Sequence, residues 1–479
     1  MLLILHKKGD RVMSDSKNNQ GLQVTNSDQE SKSQLDKNSA QRRKLILAGG
    51  AATIGASVVP YDVVFAQGKA PMELAFWMFE NPQQRPWVHK RIKMYMEKNP
   101  HIKIDFQAFP FSDLGKKLSV GFATGTAPEG FITGDWLMPT WMSKGLIAPL
   151  DVTKLGYSSM VAFTSDYPAA FVDGAVVNGK AYGYPLWFYG FPNYINTRHF
   201  KEVGLDPIKN APQTWDEVGE VSKRLAIKEG NKFVRQGFKF AMHASTWTMV
   251  HFNPILAQCG GTYFDKDGKC VVNSAAGMKA MTIRTSFAKK YNSEDPADSI
   301  ATQPLPGMDW LKERNSMFIS HPIPVAAIKS QNQKMFDEKY YRAIRAPGVE
   351  AGKGYSTTYG FNFVISSQAS QAKAEVLHDL YKFILSDAAD CWTDTAPFPL
   401  AKKSGWSDAP EVKAFPDMGE IIDSRDKGIF HPRTVVFTEL ADAMHKAVQK
   451  ILLNNQDMKT ALNEAAAEVD RATASYKKS

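Results

Sequence analysis

From residue 74 onward the chain alternates between two hydrophobic periods, and that alternation limits it to a small set of folds. Residues 74–79 form a short aromatic and aliphatic run of strand type. After Asn81-Pro82, Val88, Ile92, Tyr95 and Met96 recur at i, i+4, i+7 and i+8, one apolar helix face that Pro100 stops. Ile102, Ile104, Phe106 and Ala108 then alternate as a half-buried strand. Leu114, Leu118 and Phe122 mark a helix closed by Gly125, residues 130–133 supply a third strand, and 136–144 a helix ended by Gly145. Short connections between such elements predict a parallel sheet covered by helices, an α/β fold.

A second series begins near Tyr194. Thr214-Trp215-Asp216-Glu217 has the spacing of a capping box, with Val218, Val221 and Leu225 following on one face. Residues 233–242 read as a strand, and Ser274 opens a helix carrying Ala280, Ile283, Phe287 and Tyr291. A strand at 361–365 precedes a helix with Val376, Leu377, Leu380, Phe383 and Ile384, and the tail reads as two amphipathic helices.

Residues 1–66 are of another kind. Residues 14–40 are almost all polar and cannot bury enough surface to offset the entropy of ordering, so a disordered leader is expected. Arg42-Arg43-Lys44, an uncharged stretch over 45–59 and small Ala66 follow the order of an export signal, cleaved near Ala66. The apolar stretch contains three glycines and is too short to anchor the chain across a bilayer. The adjacent arginines look like the twin-arginine route, which places the mature chain in the periplasm; the ordinary export route is the alternative.

The formal charge is +9, yet no basic run exceeds the triplet at 42–44, so no nucleic-acid partner is expected. In an oxidising compartment, Cys259 and Cys270 flank a turn-rich segment that can bring their sulfurs together as a disulfide, leaving Cys391 as a buried thiol; two reduced cysteines on neighbouring strands are the alternative. Asp265-Lys266-Asp267-Gly268 reads as a plain turn, since the rest of a calcium loop is missing. No zinc, nucleophile-elbow, phosphate-loop or dinucleotide motif occurs, so neither catalytic residues nor a metal or cofactor is assigned.

Aromatic side chains cluster where elements end: Trp77 with Phe79, Trp136, Trp187 with Tyr189, Trp247, and Tyr355 with Tyr359. A sugar ring has an apolar face and a rim of hydroxyls, so flat rings beside polar groups suit it, and in open α/β sheets such sites lie at the carboxyl ends of strands. Asp135, Thr357 and His321 are the candidate polar partners. Trp87, Trp215 and Trp310 are assigned to packing, and His243 and His251, which flank Trp247, to structural roles.

Ala181-Tyr182-Gly183-Tyr184-Pro185-Leu186, the run from Tyr194 to Asp206 and Pro212-Gln213-Thr214-Trp215-Asp216-Glu217 together resemble the signature block of the family 1 extracellular solute-binding proteins, the maltodextrin-binding type that feeds ABC importers. Further blocks fall in the family's order: Gly260-Gly261, Asp267-Gly268-Lys269, Gly360-Phe361-Asn362-Phe363 and Pro399-Leu400. Two places depart from it, Pro128-Glu129 and Arg314-Asn315-Ser316-Met317.

The resemblance implies a periplasmic-binding-protein-like fold of two discontinuous α/β lobes joined by a hinge, with the ligand cleft between them. The N-terminal lobe is expected from 67–185 with 321–386, and the C-terminal lobe from 186–320 with 387–479. It implies a monomer that binds a small solute and presents it to the membrane subunits of an ABC permease, without enzymatic activity. A sugar or oligosaccharide is the first reading of the solute; a glycerophosphodiester receptor and an exported glycan-active hydrolase are the competing ones.

Overall fold

The computed structural model of the protein describes residues 70–82, 84–299, 306–386, 400–402 and 417–476. The expected leader and export signal, and Cys391, lie outside the described residues.

Strand β1 (Met72–Phe79) pairs in parallel with β2 (Ile102–Phe109) over its whole length and with β3 (Gly130–Gly134) on its other side. The helices Gln84–Lys98 and Phe111–Thr124 make the two crossovers, as the alternating periods predict. Phe76 fixes this layer: its ring meets Phe106, Phe363 and Tyr381 at 6.2, 6.0 and 6.1 Å. The chain continues through β4 (Ile147–Ala148), a small ribbon of β5 (Val176–Val177) and β6 (Lys180–Ala181), and β7 (Tyr184–Tyr189).

The second sheet is built from β8 (Asn193–Asn196), β9 (Ile227–Glu229), β10 (Lys232–Phe238), β11 (Asn315–Ile319) and β12 (Tyr341–Ile344), in the order β12-β8-β11-β10-β9. The helix Trp215–Leu225 begins at the expected capping box, with the Thr214 hydroxyl accepting the Glu217 N–H and the Glu217 carboxylate accepting the Thr214 N–H. The chain then returns to the first sheet as β13 (Thr357–Ser366), which lies antiparallel to β3, β4 and β7, and β14 (Ile429–Phe430) adds in parallel at its start. The closing helices Phe437–Leu453 and Met458–Tyr476 pack on each other, and the first also packs on Ser245–Gln258 of the second lobe.

Three boundaries differ from expectation. Strand β7 keeps the chain in the first sheet to Tyr189, past the crossing expected at 185. Residues 341–344, expected in the N-terminal lobe, are hydrogen-bonded to β8 in the second sheet, so the return comes after Ile344 rather than at Ser320. Residues 429–430, expected in the C-terminal lobe, belong to the first sheet. Hydrophobic pattern reveals a strand but not the partner it pairs with.

The crossings are tightly held. At Gly190, between β7 and β8, a Cβ atom would stand 2.2 Å from the Arg425 backbone nitrogen, so only hydrogen fits. The Thr358 hydroxyl donates to the Tyr189 carbonyl at 2.6 Å. On the return path, Gln258 Nε2 donates to the carbonyls of Pro347 and Tyr355 at 3.1 and 2.9 Å. Asp417 accepts from the Arg342 guanidinium at 2.6–3.0 Å and from the Ala343 N–H at 2.9 Å, tying the edge of the second sheet to the helix Met418–Lys427.

The expected Cys259–Cys270 disulfide is absent: both are free thiols. The turn forms as anticipated, with Gly268 at φ 78°, but it bridges Cys270 to Phe264, not to Cys259, which closes the helix Ser245–Gln258. Alkylation of the exported protein, unfolded without reductant, is therefore expected to label Cys259 and Cys270; a linked 259–270 peptide would overturn this. Asp417→Ala is expected to lower stability by about 1–2 kcal/mol in denaturant unfolding, a modest sum because Arg342 is partly in water.

Candidate functional site

The C-terminal ends of the strands of both sheets converge on one cavity of about 290 Å³. Phe79 ends β1, Tyr189 ends β7, and Tyr359 and Phe361 lie near the start of antiparallel β13, which brings them to the same edge. From the second lobe come Ile319 at the end of β11, Ser320 and His321 just beyond it, Ala241 and His243 past β10, and Trp247 in the first turn of Ser245–Gln258. Parallel strands aim all their C-terminal ends one way, and the open edge there is where such folds place ligands.

Rings make most of the wall. Trp247 is nearly buried and lies 5.2 Å from each of the His243 and His321 rings and 6.0 Å from Phe191. Across the cavity, the Tyr189 ring is 5.8 Å from Tyr359, and its hydroxyl accepts a hydrogen bond from Gln84 Nε2. Burial, and then the His445 charge, hold His243 down to about 4; burial, opposed by a backbone hydrogen bond and then reinforced by His243, holds His321 down to about 3. Both are neutral at physiological pH. Among the described residues the lining includes no lysine or arginine and one carboxylate, Glu80.

A second cavity of about 470 Å³ adjoins the first, sharing Phe79, Phe111, His243 and Phe361 as its wall. It is more polar, lined among others by Thr133, Thr140, Ser245, Thr246, Glu439 and Asp442. Trp136 forms its aromatic side, 4.9 Å from Tyr359 and 5.5 Å from Phe361. Gly134 makes room for that indole, since a Cβ there would lie 2.3 Å from it.

Five sequence-derived candidates therefore line these cavities: Phe79, Tyr189, Trp247 and His321 the first, Phe79 again and Trp136 the second. The other five do not. Trp77 shares a strand face with Phe79 but sits two residues back from the open end, edge-on to Phe109 at 4.9 Å. Trp187 is fully buried within β7 against Trp87 and Phe79, a core residue like Trp87, Trp215 and Trp310. Thr357 accepts a hydrogen bond from Asn253 Nδ2 at 3.4 Å, and Tyr355 offers its carbonyl to Gln258, so both serve the return crossing. Asp135 is buried, and its Oδ1 accepts the Gly360 N–H at 2.9 Å, pinning β13 to the end of β3. Sequence reading passed over Phe111, Phe361 and Gln84, whose contribution depends on long-range pairing, and set aside His243, whose position beside Trp247 was the available signal.

Burial pushes the Asp135 carboxyl up to about 7, against the pull of the Gly360 N–H and of Arg433. A raised pKa means that the folded state holds a proton the unfolded chain releases, so this contribution is full below the ordinary carboxylate range and is lost as pH rises towards 7. Asp135→Asn keeps the oxygen that Gly360 needs and carries no charge. It is expected to stabilise the protein at pH 8, on the order of a few kcal/mol, and to change little at pH 4; equal effects at both, measured by chemical unfolding, would contradict the assignment.

The sequence pattern of the bacterial extracellular solute-binding proteins matches residues 81–390. A provisionally named binding protein of Brucella abortus (strain 2308) is 25% identical over 387 residues, covering 80% of this chain and 89% of its own length. In three dimensions the chain is similar to T. maritima MalE3 with maltose bound, at a TM-score of 0.72 and 18% identity over 84% of this chain and 99% of that one. It is also similar to an ABC transporter solute-binding protein of Thermotoga lettingae TMO bound with α-D-tagatose, at 0.70 and 19% identity over 83% and 99%. These structural likenesses carry the fold, two α/β lobes about a cleft, and the pattern over 81–390 carries the family: the chain belongs to the bacterial extracellular solute-binding proteins.

Proposed function

We propose that this protein is the substrate-binding component of an ABC importer, capturing a neutral sugar or short oligosaccharide between its two lobes and handing it to a membrane permease. The observation that carries the reading is the first cavity: Trp247 from one lobe and Phe79, Tyr189 and Tyr359 from the other surround a space edged by polar groups that are neutral apart from Glu80, with no cation among the described lining residues. Rings of this kind cover the C–H face of a pyranose or furanose, while amides, hydroxyls and imidazoles meet its rim. An anionic glycerophosphodiester would find no positive partner in that lining, and a polyamine only Glu80. A glycan hydrolase needs two facing carboxyl groups, of which the described lining offers one. The sugars held by the two Thermotoga proteins agree with a neutral ligand.

A ligand touching both walls stabilises the arrangement in which they are close, and the permease recognises that arrangement; no bond is made or broken. Residues 1–66 supply the export signal, through the twin-arginine route, that delivers the mature chain to the periplasm.

The test is a thermal-shift and calorimetric panel of maltose, D-tagatose, ribitol, glycerophosphocholine and spermidine on the mature protein, since a ligand specific to the folded state raises its melting temperature. A neutral sugar or polyol is expected to bind, and Trp247→Ala to weaken it by about 1–3 kcal/mol with a smaller effect on the unfolding midpoint. Response to glycerophosphocholine or spermidine alone would overturn the reading.

A further inference from the structure

We propose that His243 and His321 are the hydroxyl-reading pair of this cleft, two imidazoles set against the Trp247 ring that each present one nitrogen to the sugar. The assignment rests on the sugar reading above and adds to it the groups that recognise the ligand's rim.

The placement follows from topology. Strands β10 and β11 are parallel neighbours, so the segments leaving their C-terminal ends emerge side by side; one carries His243 and the other His321. Each ring centroid is 5.2 Å from that of Trp247, at interplanar angles of 43° and 68°, so the indole is flanked by both. Both histidines line the aromatic cavity.

Four imidazoles gather in this part of the second lobe, and they divide by partnership. His251 accepts the Ala241 N–H on Nε2 at 3.0 Å. His445 is engaged on both nitrogens, by the Thr248 hydroxyl at 2.7 Å and by Gln449 Nε2 at 3.0 Å. His243 and His321 make no hydrogen bond to another described residue, His321 meeting only its own backbone. In each, Nδ1 is sealed from solvent without a hydrogen-bond partner among the described residues, so Nε2 is the nitrogen left for a molecule in the cavity. A half-buried polar ring kept beside an aromatic platform, with its accessible nitrogen unclaimed by another residue, is what a hydroxyl-rich ligand requires.

The surroundings hold the pair uncharged. His243 faces His251, His321 and, from the helix Phe437–Leu453, His445 with Asp442 nearby; His321 faces His243 and the phenol of Tyr189. Among the described residues the full charges near them include Asp442, the Arg284–Glu294 pair beyond His251, whose members neutralise each other, and Glu80 in the cavity lining. An imidazole in water takes its proton near pH 6.5, whereas burial holds these two rings at about 4 and about 3. Both are therefore neutral from pH 8 to pH 5, and affinity is expected to be flat over that range.

The experiment measures the Kd of D-tagatose, maltose and ribitol by calorimetry from pH 8 to pH 5, on the mature protein and on His243→Phe, His321→Phe, His243→Gln and His321→Gln, with circular dichroism as the folding control. For whichever probe binds, each Phe variant is expected to lose tenfold or more at pH 7.5. Each Gln variant recovers part of that loss, while the parent Kd stays within about twofold from pH 8 to pH 5 because both rings are neutral throughout. Phe variants within twofold of the parent overturn the assignment and leave the sugar reading standing. If no probe binds the parent protein, the sugar reading falls and this assignment with it. Should a Phe variant fail to fold, the matching Gln variant decides, and a Kd in it equal to the parent's at pH 7.5 overturns the assignment.

Discussion

The structure depends on one strand that arrives late. All ten residues of β13 are buried, and it reaches the first sheet only after the chain has built the second. It lies between β3 and β7, closes the sheet on β4 and gives β14 its place, so the backbone hydrogen bonds of five strands depend on it. Closing so long a loop costs entropy that a fully buried strand, paired along both edges, helps to offset. The same strand carries Tyr359 and Phe361 to the cleft and accepts Asp135 as an anchor at Gly360. Fold and site are therefore coupled through a single element: its misregister by one residue would turn both rings to the opposite face.

The second lobe reaches the same precision by buried charge. Lys239, immediately after β10, is almost fully buried and bonds Asp309 at 2.6 Å and Asp298 at 2.9 Å. Arg284 holds Glu294 through two hydrogen bonds of 2.8 and 3.0 Å, with its guanidinium over the Phe240 ring. Such pairs give little net stability because desolvation consumes most of the attraction, but they admit very few geometries. They bracket residues 239–243, the stretch that leads from the strand end to His243. A lobe that must present two small rings to a ligand gains more from fixed geometry here than from another apolar contact.

How far this was legible in sequence depends on the range of the interaction. Local rules located β1 to β3, their crossovers and the Thr214 capping box, because period and capping are decided within a few residues. The pairing of residues 341–344 with β8, and of 429–430 with β13, was not legible, since nothing within either segment encodes a partner more than 60 residues away. The cleft divides in the same way. Of the rings expected at element ends, Phe79, Tyr189 and Trp247 line the first cavity. The rule failed for Trp187, which lies inside a strand, and for Trp77, two residues short of the end. Asp135, Tyr355 and Thr357 are polar or aromatic residues at element ends, as a site requires, yet the groups they meet are Gly360, Gln258 and Asn253. Hinges and sites draw on the same residue types, and only the fold separates them.

Satisfied and unsatisfied buried polar groups stand side by side in this molecule. At the crossings, Asp417, Gln258, Asn253 and the Thr358 hydroxyl each have well-formed partners, and Gly190 lies against backbone with no room to spare. Buried groups without partners among the described residues occur by the cavities and along the sheets alike: Nδ1 of His243 and of His321, both nitrogens of His431, one oxygen of Asp135, and the side-chain amides of Asn193 and Asn362. Each such group costs about 1–3 kcal/mol relative to a satisfied one. His431 is held only by rings, stacked on Tyr359 at 5.7 Å and near Trp136 and Phe437 at 5.6 and 5.2 Å. Separating walls of this kind admits water to groups that need it and returns part of the apolar contact energy lost. Closing them around a hydroxylated solute gives some of the same groups a partner while the rings stay dry. On the proposed function, the crossings are where the lobes turn, and a solute that meets both walls decides between the two arrangements.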